Sequence, residues 1–245
     1  MAQSPLWLFL CPYCDTGQAL SGGIAAVECP KCRFRTGYPG VHRFGAEEWS
    51  TEEKPASLIG CFTVLDVEPS PRKRRLLYTA VARIGFELVT NHTLRQAIEI
   101  AEAWADGNRP NIGLGNLRHW LQRRMPRRGS KGWDWRHLAL QCLDSYPSRQ
   151  VQNFQEPTQH LFADAYRELF PNPFVPLEWN PEWFTSTVRD LAAHIYADRD
   201  FAAMPILADA LQDAGCDHAL VLDHCRTSKP HARGCWVVDA ILGKT

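Results

Sequence analysis

Hydrophobic residues in the last third of the chain recur at the spacing of helices that bury one face. Val188, Leu191, Ala192, Ile195 and Tyr196 occupy positions i, i+3, i+4, i+7 and i+8, which lie on one side of a helix. A second stripe predicts another helix that ends at Gly215, with inward residues Ile206, Leu207, Ala210, Leu211 and Ala214. The C-terminal third is therefore predicted to be helical.

Two shorter helices are predicted to complete this region. Asp217 is placed to cap a helix over residues 219–226, because a carboxylate oxygen accepts hydrogen bonds from the first free amides of a helix. Ser228, Lys229 and Pro230 are expected to start the last helix, which Gly243 closes. The inward residues of that helix are predicted to be Cys235, Val238 and Leu242.

The middle of the chain shows the same helical periodicity. Ser70 suits the capping position and Pro71 the first position of a helix. A second helix is predicted to begin at Asn91 or Thr93 and to end at Gly107, since glycine readily adopts the left-handed conformation that terminates helices. The two helices are expected to form an antiparallel hairpin.

The N-terminus carries two Cys-x-x-Cys pairs, Cys11 with Cys14 and Cys29 with Cys32. Such a turn holds two sulfurs at the spacing of neighbouring metal ligands, and a second turn completes a tetrahedron. Residues 6–10 and 24–27 are apolar and predict short strands that lead into the turns. The sequence therefore predicts a zinc ribbon that holds one structural Zn²⁺ ion.

Other chemistry fits these four cysteines less well. Two disulfides would suit an exported protein, but the apolar stretch at residues 5–10 is too short for a signal peptide and follows no basic residue. A redox-active pair needs only one Cys-x-x-Cys motif in a βαβ context. Iron in the same thiolate cage is an alternative, and zinc is the expected ion.

Together these patterns predict a mainly α protein with a small N-terminal β zinc ribbon. The expected divisions are residues 1–45 for the ribbon, 46–150 for a helical domain with a basic segment, and 151–245 for a C-terminal helical module. Nine cysteines without an export signal indicate a reducing, cytoplasmic location. No run of 18 apolar residues predicts a membrane span.

Charge is unevenly distributed along a chain whose formal net charge is zero. Residues 109–137 contain eight basic residues and one acidic residue, a balance of +7, whereas residues 150–223 contain twelve acidic and three basic residues, a balance of −9. The favoured interpretation is that the basic segment docks on the acidic part. The alternative is a nucleic-acid or partner face made of Lys31, Arg33, Arg35, Arg118, Arg123, Arg124, Arg127, Arg128 and Lys131.

A second group of potential metal ligands lies near the C-terminus, at Cys216, His224, His231 and Cys235. These residue types can bind a second zinc ion or form a Cys–His nucleophilic pair. The favoured interpretation is structural, with buried cysteines and with histidines that bond the free carbonyl groups of helix ends. A pocket that gathers the two histidines and Cys235 would favour an enzyme, whereas their separate burial would count against one.

Several segments resemble a large paralogous helical family of planctomycete bacteria. In the first half the resemblance depends on residues 71–76 (PRKRRL) and 97–107 (AIEIAEAWADG). At the C-terminal end it depends on PNPF at 171–174, ILADAL at 206–211, GCD at 215–217 and HARGCWVVD at 231–239. Residues 207–226 are also similar to a short repeat-companion helical module of the same bacteria. The resemblance implies a helical fold and a bacterial lineage, and it implies no particular reaction.

These observations favour a non-catalytic function. We expect a cytoplasmic adaptor that uses its ribbon and its helical surfaces to bind another macromolecule, with a protein as the favoured partner. The alternatives are a nucleic-acid-binding accessory subunit that uses the ribbon and the Arg118–Arg136 segment, and an enzyme built on the C-terminal His/Cys cluster. No small-molecule substrate and no membrane partner is indicated.

Replacing one ribbon cysteine tests the predicted metal site. Cys11→Ser or Cys29→Ser is expected to release the metal and unfold the first forty-odd residues, because metal binding supplies on the order of 10 kcal/mol of the folding energy of so small a segment. The helical part should stay folded. Elemental analysis and thermal melts followed by circular dichroism check this, and a single melt of the whole chain in the variants would contradict it.

Overall fold

The structure is a computed structural model of the chain, and its described residues are mainly helical. It describes residues 6–10, 17–20, 26–28, 33, 35–37, 41–52, 57–58, 61–62, 65, 69–84, 92–107, 116, 118–119, 123, 142–143 and 159–244. Among them, none of the helices has the length and apolar content that a bilayer crossing requires.

Contacts within the chain divide it into two units. The first unit comprises Met1–Pro69, Ser148–Arg167 and Pro171–Pro176. The second unit comprises Ser70–Pro147, Glu168–Phe170 and Leu177–Thr245. The division into three parts at residues 45 and 150 stays a prediction.

The described residues of the first unit include five short strands. β1 (Leu6–Leu10) lies between β2 (Gly17–Leu20) and β5 (Val41–Phe44) in an antiparallel sheet. β3 (Ala26–Glu28) and β4 (Arg35–Gly37) form a separate antiparallel pair. The four ribbon cysteines lie outside the described residues, so the predicted metal site in this unit stays a prediction.

Aromatic side chains form the described core of the first unit. α1 (Ala46–Thr51) buries Trp49, whose indole meets the ring of Phe62 edge-on at a centroid distance of 5.4 Å. Phe62 in turn lies 6.0 Å from the ring of Tyr166, which belongs to the helix Gln159–Leu169. These contacts bring segments that are far apart in sequence into one core.

The second unit begins with two helices, α2 (Pro71–Ile84) and α3 (His92–Ala105), that pack on each other. The hydroxyl oxygen of Ser70 accepts a hydrogen bond from the amide of Lys73 at 3.1 Å, as a capping residue does. Gly107 has a φ of 78° after the end of α3. The predicted cap and the predicted glycine terminator are therefore confirmed.

The helix Gln159–Leu169, α4, precedes four helices that enclose the core of the second unit. These are α5 (Ser186–Asp198), α6 (Met204–Asp213), α7 (Ala219–Arg226) and α8 (Trp236–Leu242). Their inward faces are apolar, which explains why they pack together in water. The largest fully buried side chains of this core are Ile195, Met204 and Leu207.

The inward face of α6 differs from the predicted one. Ile206 is 60% exposed, and the buried residues of α6 are Met204, Leu207, Ala208 and Leu211. These four occupy positions i, i+3, i+4 and i+7, so position 206 points away from the core. The predicted stripe is confirmed at Leu207 and Leu211 and is wrong at Ile206, because the neighbouring helices cover the side of α6 that carries Met204 and not the side that carries Ile206.

The predicted bounds of α7, residues 219–226, are confirmed, whereas its capping residue and the start of α8 differ from the predictions. α7 has His218 as its N-cap, whose carbonyl oxygen accepts from the amide of Leu222 at 3.2 Å, so Asp217 lies one residue too early to cap it. α8 begins at Trp236 and not near Ser228. The preceding loop is held in a non-helical conformation, since Gly234 has a φ of 93°.

A buried carboxylate joins α2 to α8. Asp239 is 2% exposed, and its oxygens accept from Arg72 at 2.7 and 3.0 Å and from Lys73 at 2.6 Å. Burial alone would lower the pKa of Arg72, but hydrogen bonding to Asp239 and the charge of that carboxylate raise it overall. The guanidinium therefore stays charged where it compensates the carboxylate.

Removing this carboxylate should destabilise the second unit strongly. Asp239→Ala removes the carboxylate that Arg72 and Lys73 share, and Arg72 keeps its pair with Asp106. The expected loss of unfolding free energy is about 3–5 kcal/mol. Asp209→Ala is the control, because Asp209 is exposed and its pair with Arg226 contributes less than about 1 kcal/mol. Urea unfolding of both variants measures the difference, and equal losses would contradict the structural importance of Asp239.

Candidate metal centre

Four potential metal ligands converge in the second unit: Glu168, His224, His231 and Cys235. Glu168 lies in the last turn of α4 and His224 in the last turn of α7. His231 belongs to the loop between α7 and α8, and Cys235 is the N-cap of α8. One ligand atom from each residue lies within 4.8 Å of all the others, so the fold gathers a compact donor set from four places in the sequence.

The distances between donor atoms are close to those between neighbouring ligands of a metal ion. His224 Nε2 lies 3.2 Å from the sulfur of Cys235 and 3.4 Å from Glu168 Oε2. His231 Nδ1 lies 3.0 Å from the same carboxylate oxygen. With usual bond lengths, a tetrahedral zinc ion separates N and O ligands by about 3.3 Å and N and S ligands by about 3.6 Å. A small outward movement of the donors therefore makes room for an ion.

Glu168 differs from the other buried carboxylates of this unit. Glu102 pairs with Arg83 and Arg199, and Asp239 is also paired with basic side chains. Among the described residues, no lysine or arginine forms an ion pair with Glu168, whose ionic neighbours are His224 and His231. A carboxylate that is only 5% exposed is costly to leave without a cation.

The pKa of His224 indicates that this residue does not compensate the carboxylate with a positive charge at neutral pH. Burial lowers the pKa of His224 to about 4, against the opposing charge of Glu168, so this imidazole is neutral at pH 7. Burial also raises the pKa of the Cys235 thiol well above 9, and the nearby carboxylate of Glu168 adds to the effect. In the absence of a metal ion the cluster therefore contains a neutral imidazole and a protonated thiol.

Neighbouring groups fix the positions of the ligands. The second oxygen of Glu168 accepts from the amide of Ala232 at 3.0 Å, which ties the carboxylate to the loop. Lys73 donates to the carbonyl oxygens of Leu169 at 3.1 Å and of Gly234 at 2.7 Å. Each of these carbonyls belongs to a residue adjacent to a ligand. Metal ligands in proteins commonly depend on such outer contacts for their orientation.

Gly234 permits the loop to approach α2 and α4 closely. A Cβ atom at this position would lie 3.0 Å from Leu76 Cδ1 and 3.3 Å from Leu169 Cγ. The φ of 93° at Gly234 also belongs to the region that favours glycine. Both constraints place the next residue, Cys235, at the N-terminal end of α8 and beside the histidines.

His224 has one more contact, on the side of its ring that faces away from the other ligands. The indole nitrogen of Trp236 lies 3.1 Å from His224 Nδ1 and donates a hydrogen bond to it. The two ring centroids are 4.9 Å apart. Trp236 also contacts Trp179 at a centroid distance of 6.0 Å. His224 therefore lies at the border of an aromatic cluster that consists of Trp236, Trp179, Trp183 and Phe184.

The structure brings together three of the four residues proposed from the sequence as a second cluster. His224, His231 and Cys235 meet, whereas Cys216 is buried and is not part of the ligand group. Glu168 was not predicted as a site residue. It precedes His224 by 56 positions, and neither a motif nor a characteristic spacing indicates that the two residues are in contact. The sequence signal that could have found Glu168 is an acidic residue within the apolar sequence at the end of α4.

Most of the other predicted site residues lie outside the described residues: Cys11, Cys14, Cys29, Cys32, Lys31, Arg124, Arg127, Arg128 and Lys131. Arg33 is exposed and pairs with Glu28 at 3.1 Å. Arg35 begins β4. Arg118 is half-buried and Arg123 is exposed. A continuous basic face formed by these residues stays a prediction.

Comparison of the chain with protein-family models, with curated proteins and with solved structures finds no match. The function is therefore inferred from the chemistry of the donor cluster.

The burial of His224 predicts a pH-dependent stability for the metal-free protein. Because its folded pKa of about 4 lies below the ordinary value of 6.5, the unfolded state binds the proton more readily. The contribution of neutral His224 to the free energy of unfolding is fully present above pH 6.5. It is lost as the pH falls towards 4, and the total loss is about 3 kcal/mol.

Urea unfolding in the presence of a chelator checks this prediction. The difference in stability between the wild type and His224→Gln should shrink by that amount between pH 7 and pH 4. His194→Gln, which alters a histidine whose side chain is 55% exposed, serves as the control. A difference that does not change with pH would show that His224 is not held neutral by burial.

Proposed function

We propose that this chain is a non-catalytic, zinc-binding interaction protein, and that Glu168, His224, His231 and Cys235 hold a Zn²⁺ ion in its second unit. One observation carries this proposal: a buried carboxylate without a lysine or arginine partner among the described residues lies beside two imidazoles and a thiol. A divalent cation balances the carboxylate together with a Cys235 thiolate, so the occupied site is neutral if both imidazoles are neutral.

The donor types favour zinc. Two nitrogens, one sulfur and one carboxylate oxygen form a set that suits borderline-soft transition metals. Mg²⁺ and Ca²⁺ prefer sites composed of oxygen ligands, and this cluster offers one carboxyl group. Copper and iron bind such donors as well, but four protein donors are the number that structural zinc sites use.

Burial favours a structural ion over a catalytic one. Catalytic zinc sites keep one coordination position open for water or substrate, whereas here four protein donors lie within 4.8 Å of one another. The side chains of Glu168, His224 and His231 are between 5% and 13% exposed. A nucleophilic cysteine needs access and a lowered pKa. Cys235 is buried with a raised pKa, so the gathering of the two histidines with this cysteine supports metal binding better than covalent catalysis.

We further propose that Cys11, Cys14, Cys29 and Cys32 hold another Zn²⁺ ion in a ribbon. The connection between β1 and β2 contains the first Cys-x-x-Cys pair, and the connection between β3 and β4 contains the second. Both strand pairs are antiparallel, and short connections of antiparallel strands are where zinc ribbons place their thiolates. This arrangement supports the ribbon proposed from the sequence.

The proposed role is to bind another macromolecule, with a protein as the favoured partner. Two structural ions that stabilise the fold are consistent with an adaptor. The nucleic-acid alternative depends on the +7 charge of residues 109–137, and it would be favoured by salt-dependent binding of nucleic acid.

Zinc stoichiometry tests the second site directly. Cys235→Ala is expected to reduce the zinc content of the full-length protein by one equivalent per chain, because a sulfur ligand is lost. Cys225→Ala is the matched control, since Cys225 is also fully buried and is not part of the donor group. Elemental analysis after dialysis against zinc at low micromolar concentration measures both.

Stability gives an independent reading of the same site. Zinc should raise the unfolding free energy of wild type and Cys225→Ala above that of Cys235→Ala, by about 2.7 kcal/mol at one hundred times the dissociation constant. Equal zinc contents in wild type and Cys235→Ala, together with equal stabilisation by zinc, would refute the proposed site and leave the ribbon proposal untouched.

A further inference from the structure

The hydrogen bond between Trp236 and His224 determines where the imidazole carries its proton. An indole N–H can donate a hydrogen bond but cannot accept one. Its nitrogen lies 3.1 Å from His224 Nδ1, so Nδ1 must offer a lone pair. A neutral imidazole has a single N–H, and the proton of His224 therefore resides on Nε2.

Nε2 is the nitrogen that the proposed metal ion requires. It faces the sulfur of Cys235 at 3.2 Å and the carboxylate of Glu168 at 3.4 Å. With a proton on Nε2, the contact with Cys235 is a hydrogen bond and not a vacant ligand position, and the carboxylate of Glu168 lies beside the same N–H. The geometry is thus that of a closed hydrogen-bonded network, which satisfies the buried polar atoms of His224 without a metal ion.

Ligation by His224 conflicts with the Trp236 contact. A neutral imidazole that binds a metal through Nε2 carries its proton on Nδ1, and metal-bound histidines usually donate this second N–H to an acceptor. Here Nδ1 faces an indole N–H. Two hydrogens would then point at each other between nitrogens 3.1 Å apart, so the indole–imidazole contact must open before the ion is bound.

His231 meets no such obstacle. Its Nδ1 donates to Glu168 Oε2 at 3.0 Å, and its Nε2 is buried without a hydrogen-bond partner among the described residues. The proton of His231 can therefore move from Nδ1 to Nε2 without meeting another donor. The two histidines therefore differ: among the described residues, only His224 has a donor, the indole of Trp236, that faces the nitrogen which must take up the proton.

We propose that Trp236 controls metal uptake at this site: its indole stabilises the metal-free network, and zinc binds when that indole leaves His224. The proposal depends on the function proposed above. On binding, His224 loses the proton on Nε2 and gains one on Nδ1 through solvent, so that the ring stays neutral. The thiol proton of Cys235 passes to solvent as the sulfur–metal bond forms.

The movement of Trp236 links the metal site to the aromatic cluster. Trp236 is the first residue of α8, and its ring contacts Trp179, which in turn contacts Trp183 at 6.3 Å and Phe184 at 5.5 Å. Displacement of the Trp236 indole must therefore alter the packing at the start of α8. The second unit thus has a zinc-free and a zinc-bound arrangement that differ in this cluster.

Nitrogen NMR of the full-length protein reads the tautomer directly. After chelation, His224 is expected to show a proton on Nε2 and a hydrogen-bonded Nδ1. Titration with Zn²⁺ should convert it to a metal-bound Nε2 with a proton on Nδ1, and the indole N–H signal of Trp236 should shift in the same transition. A proton on Nδ1 of His224 in the zinc-free protein would overturn the proposal.

Substitution of Trp236 provides the affinity test. Trp236→Phe removes the N–H and retains an aromatic ring, so the zinc dissociation constant of this site should fall about tenfold, the equivalent of one neutral hydrogen bond that no longer has to break. Trp179→Phe is the matched control, because it alters the same cluster without touching His224, and its affinity should equal that of the wild type. Competition with a zinc-chelating dye measures the constants.

The outcomes separate this proposal from the one on which it depends. Tighter binding by Trp236→Phe alone supports control by Trp236. Equal affinity in wild type, Trp236→Phe and Trp179→Phe overturns that control and leaves the metal site standing. If neither the wild type nor Trp236→Phe binds zinc beyond the amount retained by Cys235→Ala, the metal site itself is refuted.

Discussion

The buried carboxylate of Glu168 imposes the constraint on which the candidate site depends. A carboxylate removed from water must be compensated by donors or by a cation, or it loses its charge. Two imidazoles and the amide of Ala232 surround Glu168, yet His224 is kept neutral by its own burial. The end of α4 thus carries a negative group whose described neighbours favour a positive ion, and the adjacent thiol of Cys235 completes a donor set for one.

The buried carboxylate of Asp239 is compensated by basic side chains and not by histidines, and these basic side chains help to position the site. Asp239 is bound by Arg72 and Lys73, so the start of α2 is fastened to α8. Lys73 also donates to the carbonyl oxygens of Leu169 and Gly234. One ammonium group therefore fixes the residues next to two of the ligands. These ion pairs connect α2 to α8 beside the donor cluster, whereas Glu168 in the cluster has histidines as its described ionic neighbours.

The metal-free network and the proposed metal-bound site compete for the same atoms. Hydrogen bonds from Trp236 to His224 and from His231 to Glu168 satisfy the groups that an ion would otherwise bind. Zinc binding must supply the free energy that these hydrogen bonds contribute to the zinc-free fold, so the observed affinity for zinc is lower than it would be without them. An interaction protein with such a site would present one packing of its aromatic cluster without zinc and another with it.

The sequence by itself determined the local features of this protein. Apolar periodicity and capping chemistry act over a few residues, which is why Ser70 and Gly107 marked helix ends correctly. The inward face of α6 was misjudged at Ile206, since neighbours from other helices decide which side of a helix is buried. Only the tertiary structure brought Glu168 to His224, because their contact depends on how the last turn of α4, α7 and the loop before α8 pack within the second unit. Periodicity in a sequence indicates which side of a helix is buried, and it does not indicate which helices meet.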